Sequence, residues 1–282
     1  MPRKLKRVPE KDLVMSDIDS VSFYDKEGLL GFLRPVYLMG ADIITAIFPK
    51  KGVCLDIGCG SGRYTIEYTT RIPLLKVVAF DLSPRMIRLA KKNLRESSLI
   101  KPNLNKQINF EVGNMLNLER FRSQSFDAIV CSYTLHHSID KDEVIYVLDQ
   151  IKRILKPEGA LYIYDLIRPD TIEALKLIEE KFLRDYPSIF RIDTVNSLRA
   201  SFSAKELIEI VRQSSLNNLE HFISSRGVII LKLYERNRSK YEESKSLKEF
   251  ISYSKSIKAR YISGLKMFKE AGLDLHKLSA RQ

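Results

Sequence analysis

Apolar and polar residues follow two rhythms along this chain, and the switches between them mark its elements. Short apolar runs bounded by Gly, Pro, Asn or Asp predict buried strands at 53–57, 76–81, 108–112 and 160–166. The stretch 125–137 predicts another, with its exit loop. Helical spacing appears over 23–48, where Leu29, Leu30, Leu33, Val36, Leu38, Ile43, Ile44 and Ile47 recur and Pro35 splits the pattern in two. Further helices are expected at 86–95, opened by Ser83 and Pro84, and at 142–155 with Val144, Leu148 and Ile151 inward. Residues 169–201 read as one or two helices. Ser203 with Glu206 is a capping box for a helix to Val211. Two strands, 218–224 and 227–234, then meet at a tight turn on Ser225 and Arg226, and a long amphipathic stripe fills 240–269.

Strands alternating with helices predict a doubly wound, mostly parallel α/β sheet. The densest signal lies after the first strand, in Asp56-Ile57-Gly58-Cys59-Gly60-Ser61-Gly62. Alternate glycines permit a tight turn and close backbone approach to a ligand, and a helix N-terminus follows. A dinucleotide fingerprint would need its third glycine where Arg63 stands. Asp81 closes the second strand about twenty residues on, the place of a ribose-binding carboxylate.

Asp-x-Gly-x-Gly-x-Gly resembles motif I of the class I S-adenosylmethionine-dependent methyltransferases. Ser125 through His137 resembles their motif IV, and Leu155-Lys156-Pro157-x-Gly159 is a phrase common before the fifth strand. The likeness covers about residues 50 to 166 and is greatest to the small-molecule branch typified by quinone-biosynthesis enzymes. It implies a Rossmann-like seven-stranded sheet with an antiparallel closing strand, and transfer of a methyl group to O, N or C of a small acceptor, with S-adenosylhomocysteine released. It further implies that Asp56, Gly58, Cys59, Gly60 and Gly62 receive the methionine end, Asp81 and Leu82 the ribose, and Met115 the purine edge, with Ser132 close by. Asn114 stands where the family usually has an Asp that holds the adenine amine, and its carboxamide oxygen can still accept that bond. His136, His137 and Tyr133 lie on the loop facing the methyl group and are the catalytic candidates, an imidazole being able to take the acceptor's proton near neutral pH. Tyr24 and Tyr37 on the lid helices, with Asp165 and Arg168 after the fifth strand, are candidates for the acceptor, the last two also able to pair with each other. No metal is expected, because adjacent histidines on a loop need a third ligand.

The domain reading is a basic flexible arm (1–22), a methyltransferase domain (23–235, with lid helices 23–49 and a substrate insert 169–202) and a basic helical extension (236–282). Composition narrows it further. Of the net charge of +12, residues 1–11 carry +4 and residues 232–282 carry +7, leaving +1 between them. Nucleic-acid binding would therefore run through the tails, which keeps a tRNA methyltransferase as an alternative, behind a solvated helix face and a basic arm. A second alternative is a non-catalytic cofactor-binding scaffold. The 240–270 stripe would meet a second copy or another protein. Cys54, Cys59 and Cys131 form no C-x-x-C pair and no apolar run reaches a membrane span, so a cytoplasmic protein with reduced cysteines is expected.

Overall fold

A computed structural model describes residues 3–10, 18–30, 33–216, 219–223 and 228–232. The turn at Ser225 and Arg226, the 240–270 stripe and the whole 236–282 extension lie outside the described residues. Helices α1 (Ile18–Leu30) and α2 (Arg34–Ile47) come first, with Pro35 in the first turn of α2, where its missing N–H leaves no intrahelical bond unmade. Then follow β1 (Lys51–Ile57), α3 (Arg63–Arg71), β2 (Leu74–Asp81), α4 (Pro84–Ile100), the single turn α5 (Leu104–Gln107) and β3 (Ile108–Val112). The second half contains β4 (Phe126–Ser132), α6 (Lys141–Ile154), β5 (Leu155–Asp165), α7 (Ile172–Phe182), α8 (Ser188–Ala200), α9 (Ala204–Gln213), β6 (Glu220–Ile223) and β7 (Val228–Lys232).

The strands lie in the order β3-β2-β1-β4-β5-β7-β6. The first five are parallel, and β7 runs antiparallel to both of its neighbours. Because side chains alternate across a strand, each central strand feeds two cores. Cys54, Ala128, Val130, Ala160 and Tyr162 pack under α2, α3 and α4, whereas Leu55, Ile57, Ile129, Cys131, Leu161 and Ile163 pack under α6 and α9. Both faces are thus covered, and the free end of the sheet is the C-terminal edge of β1, β2 and β4. In such sheets ligands bind at that edge, where strand order reverses, here between β1 and β4. Among the described residues no helix is long and apolar enough to cross a membrane.

Two expectations are corrected. The fifth strand starts at Leu155, not Ala160, and Lys156 through Gly159 lie inside it. Phe126 pairs with Leu155 and Ala128 with Ala160, so the extra residues form a bulge. Pro157 is tolerated there because a bulge asks for no ladder donor.

The second correction concerns the N-terminal arm, expected to be loose. Residues 3–10 are fastened across the body as a strap. Lys4 bridges Thr171, Leu5 N–H donates to Asp170 O at 2.9 Å, and Val8 N–H to Arg199 O at 3.0 Å. Leu5 is buried against Leu175 and Leu198. Hydropathy alone misses this because the strap buries one apolar side chain, Leu5, and is otherwise held by backbone and polar side-chain bonds.

The glycines of the first turn divide by what surrounds them. Gly62 caps α3 at φ +74, and a Cβ there would sit 2.6 Å from Phe110 Cζ and 3.0 Å from Ala90 Cβ. Gly60 also has positive φ, yet a Cβ would meet nothing within 4 Å. Gly62→Ala should therefore lower unfolding stability by about 2–4 kcal/mol, from left-handed strain plus overpacking. Gly60→Ala should lower it by only the strain, about 1–2 kcal/mol. Denaturant melts of the two variants check this, and equal losses would contradict it.

Candidate active site

A cavity of about 380 Å³ opens over the C-terminal edge of β1, β2 and β4. One end is built by the glycine turn. Asp56 there is 2 % exposed. Thr65 Oγ1 and Tyr68 OH both donate to its Oδ2, at 2.7 and 2.8 Å, while Oδ1 has no hydrogen-bond partner among the described residues. Burial pushes the Asp56 carboxyl up to about 6, the two hydroxyl bonds opposing it. A buried carboxylate with one oxygen unused is a receptor for a cation. Gly60 presents bare backbone to the same space, and its N–H donates to Asp81 Oδ2 at 2.9 Å. Ser83 N–H donates to Asp81 Oδ1 at 2.8 Å, and burial raises the Asp81 carboxyl above its ordinary value. Each Asp81 oxygen keeps a lone pair for a ligand hydroxyl.

Helices α1 and α2 are pinned to this corner. Arg63 donates from Nε and Nη2 to the two oxygens of Asp25 on α1, at 2.9 and 2.8 Å. Asn93 of α4 donates to the same Asp25 and to Ser61 O. Tyr37 of α2 stacks on Tyr64 with centroids 5.0 Å apart.

The other end of the cavity is mostly apolar, walled by Leu33, Ile167, Ile178, Phe182, Leu183 and Phe190. Into it project two imidazoles from the turn after β4. Tyr133, which starts that turn, is held at φ +55, an uncommon conformation for a non-glycine residue, by a bond from its N–H to Tyr164 O at 2.8 Å. Each imidazole is tied at Nδ1 to a carboxylate. His136, 4 % exposed, meets Asp165 Oδ1 at 2.6 Å. The Asp165 carboxylate also accepts the N–H groups of His136 and Leu166. A carboxylate offers only acceptors, so His136 Nδ1 faces Asp165 as a donor and Nε2 is the ring nitrogen left for other partners. His137 meets Glu10 Oε2 at 2.6 Å. Burial works against a charged His137, but the Glu10 bond and charge outweigh it and raise its pKa; the same pairing holds Glu10 low against its own burial.

Most residues singled out in the sequence converge on this cavity. Tyr24, Tyr37, Asp56, Gly58, Cys59, Gly60, Asp81, Leu82, Asn114, Met115, Ser132, Tyr133, His136, His137 and Arg168 line it. Gly62 does not: Phe110 and Ala90 sit where its side chain would be, so it is a packing glycine. Asp165 does not line it either. It stands behind His136, and it does not pair with Arg168, whose guanidinium bonds Ser201 O and both oxygens of Glu206. Asn114 already spends its carboxamide oxygen on Leu116 N–H at 2.8 Å, leaving one lone pair.

Residues 54–159 match a methyltransferase-domain family. A demethylmenaquinone methyltransferase of Lactobacillus johnsonii is 28% identical over 229 residues, covering 80% of this chain and 90% of that protein. A ubiquinone biosynthesis O-methyltransferase of Xanthomonas oryzae pv. oryzae is 30% identical over 54% of this chain and 57% of its own length, so the chain spans a little over half of it. A solved structure of a putative S-adenosylmethionine-dependent methyltransferase from Methanococcus maripaludis shares the fold, with TM-score 0.53, 23% identity, and coverage of 79% of this chain and 94% of that one. Residues 54–159 thus form a class I S-adenosylmethionine-dependent methyltransferase domain.

The methyltransferase has two site groups that the sequence reading did not name, Asp193 lining the cavity and Glu10 behind His137. Asp193 on α8 is hydrogen-bonded to Tyr24, and burial, reinforced by Glu10, pushes its carboxyl up to about 6. Phe190, Asp193, Thr194, Ser197 and Leu198 fall at helical spacing on one cavity-facing stripe. That mixed polar and apolar face was the available signal. Glu10 had a fainter one, as the only acid among the first eleven residues. Glu10, His136 and His137 also offer nitrogen and oxygen atoms within 4.8 Å of one another. The third ligand whose absence argued against a metal pair is thus present.

Proposed function

We propose that the methyltransferase acts on a small, largely apolar acceptor bearing an ionisable hydroxyl or enol, held between the lid, the α7–α8 insert and the two histidines. The carrying observation is one continuous cavity, polar at the Asp56–Asp81 end and apolar around a pair of imidazoles at the other. The similarity to a demethylmenaquinone methyltransferase and to a ubiquinone biosynthesis O-methyltransferase supports a small, largely apolar acceptor. The same reading covers the finer architecture, a seven-stranded sheet closed by the reversed β7.

The residues fit the cofactor. Asp56 Oδ1 suits the methionine ammonium, with Gly58, Cys59 and Gly60 backbone alongside; Asp81 and Leu82 suit the ribose, Asn114 and Met115 the adenine, and Ser132 and Tyr133 the methionine end. When bound, S-adenosylmethionine supplies a methyl group already activated as a sulfonium. The protein has then to align the acceptor in line, exclude water and hold the acceptor's proton. His136 is placed for the last task, with Nδ1 fixed by Asp165 and Nε2 without a hydrogen-bond partner among the described residues. His137, held toward its charged form by Glu10, suits an acceptor oxygen that has become an anion. Tyr24, Tyr37, Asp193 and Arg168 shape the acceptor chamber.

The alternatives gain little. Arg7, part of the basic arm that would contact nucleic acid, is consumed by backbone carbonyls within the protein. The possible dimer or partner surface at 240–270 falls outside the described residues. A crystal structure with S-adenosylhomocysteine tests the assignment. The expected result places its amino group at Asp56, its ribose at Asp81 and its sulfur facing Tyr133 and His136. A sulfur directed away from the histidines would overturn it.

A further inference from the structure

The strap is bound to the same short turn that carries both histidines, and it holds that turn in two ways. The guanidinium of Arg7 donates to the carbonyls of His136 at 3.3 Å, Ile139 at 2.6 Å and Ser138, and to Ala200 O at 2.6 Å. The first three are carbonyls at the end of the histidine turn and the fourth ends α8, so one side chain satisfies what helix continuations would otherwise have to. Arg7 also lies over the Phe202 ring, 3.9 Å from its centroid. Three residues on, Glu10 accepts from Ser197 Oγ at Oε1, 2.7 Å, and engages His137 Nδ1 at Oε2, 2.6 Å. Ser197 belongs to α8, which with the histidine turn lines the acceptor end of the cavity.

With Nδ1 taken, Nε2 is the one ring nitrogen of His137 left for a ligand, and among the described residues it has no hydrogen-bond partner. His137 is 36 % exposed at its side chain and lines the cavity, whereas Glu10 at 11 % lies behind it. The carboxylate therefore acts on the cavity through the imidazole. Within the β4 exit loop the ring packs on the His136 imidazole, 4.1 Å between centroids, but among the described residues that loop gives it no side-chain hydrogen bond. Its neighbour His136 has Asp165 for that purpose, from the adjacent strand, and His137 has only a residue 127 positions earlier in the chain.

We propose that Glu10 is a positioning residue of methyl transfer, delivered by the strap, which fixes His137 with Nε2–H toward the acceptor so that an ionised acceptor oxygen is held by a charged hydrogen bond. The inference deepens the methyltransferase reading above and rests on it. It names the acceptor by its chemistry: an oxygen that is an anion when the methyl arrives, as a phenolate or enolate is. Such a bond is charge-assisted and stronger than a neutral one. The strap then has a second consequence. A chain cleaved after Glu10 would keep every residue of the glycine turn, but its His137 would be unpaired.

The competing occupant of the same three side chains is a divalent metal ion. The present bonding favours the positioning role, because both Glu10 oxygens already have protein donors and an ion would have to break the His137 bond.

The test uses the full chain and four proteins: wild type, Glu10→Gln, His137→Gln and the double variant. Glu10→Gln should lower kcat by about tenfold to a hundredfold, a fraction of a full acid–base contribution, and leave S-adenosylmethionine affinity unchanged. In the His137→Gln background the same change should do nothing further, which is the signature of action through His137. NMR titration of the His137 ring supplies a readout independent of turnover, and its pKa should fall in Glu10→Gln, where the carboxylate charge that raises it is gone. An equal kcat loss in both backgrounds would show a merely structural strap and overturn the proposal, as would an NMR shift with kcat unmoved. Loss of wild-type activity in EDTA with recovery on zinc would overturn it in favour of the metal. A wild type that turns over no acceptor while its His137 still titrates with Glu10 would count against methyl transfer and leave the pairing standing.

Discussion

Replacing Asp56 by asparagine should weaken S-adenosylmethionine binding by roughly a hundredfold, the scale of about 2–5 kcal/mol seen when one partner of a buried charge pair is truncated. The fold should be no less stable. Thr65 and Tyr68 can still donate to the amide oxygen, which then directs the amide N–H₂ into the cavity, a donor where the cofactor's ammonium needs an acceptor. The sign of the pH dependence follows from the same burial. With its carboxyl raised from 3.8 to about 6, Asp56 favours the folded state when protonated. That contribution is present below 3.8 and is lost as pH rises through about 6, so the empty wild type gives up some stability at neutral pH and the asparagine variant does not. Cofactor binding needs the charged form. Wild-type affinity should be level above pH 7 and fall by up to about tenfold per unit below pH 6, while the variant stays weak and flat. Isothermal calorimetry across pH measures both, and a variant that binds like the wild type would remove Asp56 from the site.

Asp165→Asn should leave cofactor affinity intact and cut kcat by about 10²–10⁴-fold, the range of a general acid–base contribution. The carboxylate accepts three N–H groups, and an amide cannot accept all of them. If its oxygen faces His136 Nδ1 and Leu166 N–H, its N–H₂ opposes His136 N–H. If it turns over, N–H₂ faces Nδ1 and drives the ring proton to Nε2, so His136 has no lone pair for the acceptor. The second arrangement removes the base outright, the first leaves it held by an amide whose N–H₂ is opposed by His136 N–H, and neither touches the cofactor end. Single-turnover kinetics separate the two effects, and a variant with normal single-turnover rate would contradict the role of His136.

The sequence made the cofactor end legible because its chemistry is local. Asp56, Gly58 and Gly60 lie within five residues, and Asp81 ends the next strand, so spacing alone places them together. The turn's own division of labour was hidden: Gly62 looks like Gly60 in sequence, and only Phe110, from a different strand, makes it a packing residue. The acceptor end is assembled over long distance. Glu10 reaches His137 from the strap, Asp193 comes from the insert, and Asp165 and Arg168, three residues apart, turn to different partners. Periodicity reports which face of a helix is apolar, not which distant side chain will meet it. The Lys156–Gly159 bulge was missed for a similar reason, since a Pro-Glu-Gly stretch reads as a turn unless the partner strand is known.

The central claim is that a methyl group passes from S-adenosylmethionine to a small acceptor beside the histidine turn. Turnover with methyl-labelled S-adenosylmethionine and a panel of phenolic and enolic acceptors tests it most directly. The account predicts label in an organic-extractable product that gains one methyl per S-adenosylhomocysteine released, and loss of that product in Asp165→Asn. Cofactor bound without transfer to any small acceptor, or label recovered in RNA or protein instead, would contradict it.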